Sequence, residues 1–136
     1  MGETVLIVED EPMQSSMLVD CMNLWGYTAF VAGNCKAALA LLAGPPPDVV
    51  VMDIVLGDGK GRSVYRAMRA DPAWSSVPVV FTTGLPEPDT WKEMQGISAP
   101  VLRKPFHIND LRISVVSALS LSRACRSQGR AKFAAR

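Results

Sequence analysis

The sequence is short of the residues that build soft metal sites and disulfide frameworks. It has one histidine, His107, and three cysteines, Cys21, Cys35 and Cys125, at spacings that match no zinc motif. An odd number of cysteines without such a motif reads as reduced thiols in a reducing compartment. No apolar run approaches the roughly 18 residues that a membrane span requires. Met1-Gly2-Glu3-Thr4 lacks the positive stretch that opens a signal peptide. These absences point to a cytoplasmic protein with no membrane association. Internal repeats are also missing, and acidic residues are absent from positions 123–136.

What is present fits one globular domain. The chain has 136 residues, 49% hydrophobic and 20% charged, enough to bury a full core. All 13 acidic residues lie in 1–122, which carries −4. Residues 123–136 carry +5 through Arg123, Arg126, Arg130, Lys132 and Arg136, leaving +1 overall. The expected division is therefore a domain over 1–122 and a basic C-terminal tail over 123–136. Such a tail is more often solvated and frayed than bound, so nucleic acid is not an expected partner.

Five short apolar runs alternate with five helical patterns. Thr4 to Val8 and Val49 to Met52 are continuously apolar and β-branched, as strands buried on both faces of a parallel sheet must be. Tyr27 to Val31, Val77 to Phe81 and Ala99 to Arg103 supply three more strands. Between them, a helix is expected from Pro12 to Trp25, with Met13, Met17, Cys21 and Leu24/Trp25 as its core stripe, widened by Leu18 and Met22. Asn34 is an N-cap candidate for a helix ended by Gly44, and Gly57 to Gly61 reads as a loop. A short helix spans Ser63 to Ala70. Leu85-Pro86-Glu87-Pro88 is expected to be irregular, with Asp89 capping a brief helix to Gln95. Ile108, Leu111, Val115 and Ala118/Leu119 mark a last amphipathic helix, with His107 and Asp110 placed as a capping box. Trp74 and Trp91 are expected to be half exposed. The alternation predicts an α/β fold, a doubly wound parallel sheet, whose ligands bind beyond the carboxyl ends of the strands.

The unusual polar residues all sit at those ends. Glu9 and Asp10 follow the first strand, Asp53 ends the third, Thr83 ends the fourth, and Lys104-Pro105 follows the fifth. Converging carboxylates repel one another, so the cluster calls for a doubly charged cation or a raised pKa. All-oxygen ligands favour magnesium. A carboxylate can attack phosphorus, and an ammonium and a hydroxyl can then neutralise the phosphoryl charge.

On these residues the chain resembles response-regulator receiver domains from Val5 to about Leu121. The resemblance implies a flavodoxin-like five-stranded sheet of order 2-1-3-4-5. It implies that Asp53 accepts a phosphoryl group from a histidine kinase or histidine phosphotransfer protein and signals to an effector that the sequence does not name. It further implies magnesium held by Asp10 and Asp53 directly, by Glu9 through water and by the Val55 carbonyl. Thr83 would be the switch hydroxyl, Lys104 the phosphate-contacting lysine with a cis bond to Pro105, and the helix 4, strand 5, helix 5 face the output surface. Such a domain is a switch and not a turnover enzyme.

Three positions depart from the family pattern. Val101 stands where most receivers carry Tyr or Phe, and Gly57 replaces a frequent proline. Phe81-Thr82-Thr83-Gly84 resembles the Phe-Ala-Thr-Gly motif of an atypical single-domain group. The alternatives are a receiver within a longer hybrid kinase or transcription factor and a magnesium phosphohydrolase. Such a hydrolase usually has a second aspartate two residues after its nucleophile, where this chain has Val55.

Overall fold

The computed structural model describes residues 2–134, with side chains described through Arg123. In chain order the elements are β1 (Thr4–Val8), α1 (Pro12–Leu24), β2 (Thr28–Ala32), α2 (Cys35–Ala40), a 3-10 turn (Leu41–Ala43) and β3 (Val49–Asp53). They continue with β4 (Val55–Leu56), β5 (Gly59–Lys60), α3 (Gly61–Ala70), β6 (Val79–Thr83), α4 (Glu87–Glu93), β7 (Val101–Arg103) and α5 (Ile108–Ala134).

The central sheet runs β2-β1-β3-β6-β7, and every pair in it is parallel. This is the expected 2-1-3-4-5 order, because β4 and β5 form a separate antiparallel hairpin. Residues of β1 and β3 are buried on both faces because side chains alternate across a strand and helices cover each side. Val5, Ile7, Val49, Val51 and Val80 pack with Leu18 and Met22 of α1 and Leu111 and Val115 of α5. Leu6, Val8, Val50, Met52 and Phe81 pack on the other face with Ala38 of α2, Val64 and Met68 of α3, and Trp74.

Several local expectations are corrected. Met13 and Leu24 are 81% and 82% exposed, and Ser15, Leu18, Cys21 and Met22 form the buried face of α1. Apolar residues lie nearly all round this helix, so its pattern selects no face; the sheet does. Gly57 to Gly61 is not simply a loop, since Gly59 and Lys60 form β5 and Gly61 opens α3. Helix α4 starts at Glu87 with Pro88 in its first turn, where the missing N–H has no partner to lose. Asp89 therefore lies inside the helix, and the Pro86 carbonyl accepts from the Asp89 and Thr90 amides.

Trp74 is 2% exposed, and its indole N–H donates to the Gly44 carbonyl at 3.2 Å, whereas Trp91 is exposed. At α5 it is the His107 carbonyl, not a His107–Asp110 side-chain box, that accepts the Asp110 and Leu111 amides. Asn34 does cap α2, accepting from the Ala37 amide at 2.8 Å. Helix α5 passes through the expected boundary at 122, and Arg123 pairs with Glu3. The side-chain contacts of the rest of the basic tail lie outside the described residues.

Candidate functional site

The parallel sheet brings the carboxyl ends of β1, β3, β6 and β7 to one edge, and all six expected site residues stand there or in the segments that follow. Asp53 ends β3, and one of its oxygens, Oδ1, accepts the Val55 amide at 3.1 Å. Its other oxygen, Oδ2, lies 2.6 Å from the Lys104 Nζ. The same ammonium donates to Glu9 Oε2 at 3.0 Å, and Glu9 Oε1 accepts the Glu11 amide at 3.2 Å. Asp10 is exposed at the rim. Glu9, Asp10 and Asp53 each bring one carboxylate oxygen within 4.8 Å of the others.

Burial is the main reason the Glu9 carboxyl is held above its usual pKa, and Asp53 adds to the rise while Lys104 opposes it. For Lys104, burial is the strongest single influence and pushes its pKa down, but its two carboxylate partners together outweigh it and raise the net value. The lysine is thus a fixed cation within an acidic pocket. It is positioned from its backbone: its amide donates to the Thr83 carbonyl at 2.7 Å, and the Lys104–Pro105 bond is cis. Thr83 is buried, and its hydroxyl oxygen accepts the Leu85 amide at 3.0 Å, so it sets the first turn of the segment leading to α4.

Two features were not legible from local patterns. Gly61 packs so closely under Asp53 that a Cβ there would stand 2.4 Å from the Asp53 carbonyl oxygen. Its one mark in the sequence is its place eight residues after Asp53. Asp58, at the tip of the β4–β5 hairpin, accepts the Cys35 and Lys36 amides at 2.8 and 3.1 Å, serving the first turn of α2 alongside Asn34. These two amide bonds lower the Asp58 pKa.

The stabilisation from Asp58 is therefore complete above the ordinary carboxylate pKa and is lost as pH falls through the lower folded value. Asp58→Ala is expected to speed amide exchange at Cys35 and Lys36 at neutral pH. Wild-type exchange there should approach the variant's only in acid. Equal protection in both proteins at neutral pH would contradict this role.

A doubly wound sheet with a carboxylate cluster and a half-buried lysine at its carboxyl edge places the chain among α/β domains whose candidate site lies beyond the strand ends. The model of the response regulator receiver domain matches residues 5–116, and the chain belongs to that family, a signalling module of two-component systems. Over 118 residues, 86% of this chain, it is 34% identical to the regulatory protein AtoC of Escherichia coli, covering 25% of that protein.

The chain spans less than half the length of the curated relatives it matches. It superposes with a TM-score of 0.80 and 32% identity on the N-terminal domain of a three-domain response regulator from Carboxydothermus hydrogenoformans, covering 90% of this chain and 98% of that one. The receiver domain of the sensor histidine kinase PA1611 from Pseudomonas aeruginosa, with magnesium coordinated in its active-site cleft, has the same fold at a TM-score of 0.81 and 23% identity, over 88% of this chain and 99% of that one. Among the described residues, no helix is long and apolar enough to cross a membrane.

Proposed function

We propose that this domain is a phosphorylation switch that accepts a phosphoryl group from the phosphohistidine of a histidine kinase or phosphotransfer protein onto Asp53. The observation that carries the reading is the Lys104 ammonium lying against Asp53 Oδ2 while Val55 holds Oδ1. One oxygen of the nucleophile is fixed and the other lies beside a cation that can neutralise the incoming group. The Asp53 oxygen forms the new O–P bond as the histidine P–N bond breaks, and the imidazole leaves with the electron pair and takes up a proton.

Glu9, Asp10 and Asp53 form an all-oxygen set suited to magnesium, and the Val55 carbonyl would complete it. Bound there, the ion would neutralise phosphoryl oxygens. Thr83 would turn its hydroxyl toward the phosphoryl group and give up the Leu85 amide, which loosens the segment leading to α4. The output face would be α4, β7 and α5, and a cavity of about 530 Å³ opens between α4 and β7, lined by exposed Trp91 and half-buried Val101.

Magnesium is expected to stabilise the fold by relieving carboxylate repulsion, by about 1.4 kcal/mol at ten times its Kd. For a domain of this size that raises Tm by roughly 3–6 °C. Asp10→Ala should weaken the response most. The reading is tested by thermal melts across a magnesium titration and by mass spectrometry after incubation with a small-molecule phosphodonor. Superimposable melts together with no mass addition would overturn it.

A further inference from the structure

Helix α4 spans seven residues, too short to hold its place alone, so its contacts set its position. At its N-terminal end the Thr90 hydroxyl lies 3.4 and 3.2 Å from the Leu85 and Pro86 carbonyls. At its last residue, Glu93, the carboxylate is held between two cations. Lys60 Nζ stands 3.5 Å from Oε1 and Arg62 Nε stands 3.6 Å from Oε2. The Glu93 side chain is only 17% exposed, and Oε2 is buried with no hydrogen-bond partner among the described residues. The two cations are thus what offsets the desolvation of this carboxylate.

Both cations sit directly on the segment that follows Asp53. Lys60 is the β5 partner of Val55, whose amide bonds Asp53. Arg62 follows Gly61, whose amide donates to the Ile54 carbonyl at 2.8 Å and whose Cα packs under Asp53. Contacts therefore run without a gap from Asp53 through Val55 to Lys60, and through Gly61 to Arg62, and both meet at Glu93. We infer that this Lys60–Glu93–Arg62 latch transmits the state of Asp53 to α4, an electrostatic route in a chain whose Val101 offers no aromatic ring to bury. The inference rests on the phosphoacceptor reading of Asp53. A coupling claim needs a displaced element biased from both sites, and α4 is that element.

The test compares amide exchange and backbone chemical shifts of the full chain, wild type and Glu93→Gln, with and without magnesium and beryllofluoride as the phosphoryl mimic. Without the mimic, Glu93→Gln should speed exchange at Thr90 to Met94 about three- to fivefold, the size an ion pair of this exposure supports. With it, wild-type shifts should appear at residues 53–62 and 87–94. Glu93→Gln should keep the first set and lose roughly half or more of the second. The charge-reversed triple variant Lys60→Glu, Arg62→Glu, Glu93→Lys should recover the α4 response. Equal α4 shifts in wild type and Glu93→Gln overturn the latch, as does a triple variant that fails to recover them. Absent wild-type shifts at 53–62 overturn the Asp53 reading, and the latch as a transmission route falls with it.

Discussion

Asp53→Asn is expected to bring acid-labile phosphate incorporation down to background, a fall on the order of 10³-fold or more, as removal of a nucleophile entails. The substitution exchanges one oxygen for an amide of the same shape. The acceptor for the Val55 amide can persist, and one negative charge leaves a crowded cluster. The variant should therefore remain folded, which separates loss of chemistry from loss of structure. Neighbouring carboxylates are poor substitutes. Glu9 is buried with one oxygen on the Glu11 amide and the other on Lys104, while Asp10 stands exposed at the rim. The measurement is phosphodonor labelling with magnesium followed by acid and base lability of the adduct. Wild-type labelling of Asp53→Asn would move the acceptor to another residue.

Gly61→Ala should be strongly destabilising. The added carbon would meet the Asp53 carbonyl oxygen at 2.4 Å, and that atom is backbone at the end of the central strand, with no flexible end to move aside. Overpacking of this kind costs about 2–3 kcal/mol, which lowers Tm by about 10 °C. Because the clash is with Asp53 itself, phosphorylation should fall as well. Gly33→Ala is the control, since nothing among the described residues lies within 4 Å of a Cβ there, and it should stay within about 0.5 kcal/mol of wild type. Chemical denaturation of the two variants decides the matter. A Gly61→Ala protein as stable as Gly33→Ala would mean that the close approach relaxes without cost.

The sequence by itself determined the sheet and which residues gather at its candidate site. Val49 to Met52 is an unbroken β-branched and apolar run that stops at a carboxylate, and β1 likewise gives way to Glu9 and Asp10. Strand ends are local events, because the apolar run stops where charge begins. In a parallel sheet they are also carried to one edge, so spacing along the chain predicts convergence in space.

The tertiary structure alone decided what depends on pairings across the fold. Helix α1 is apolar on nearly every side, and only docking of Leu18 and Met22 on the sheet turned Met13 and Leu24 outward. Trp74, flanked by prolines and serines, was buried by its fit beneath α2 and by the distant Gly44 carbonyl. Asp58 reached α2 across 22 and 23 residues, and Glu93 found Lys60 and Arg62 on the far side of β6. A side chain's partner across the fold is set by the three-dimensional packing of whole elements, and no local pattern of charge or hydropathy encodes it.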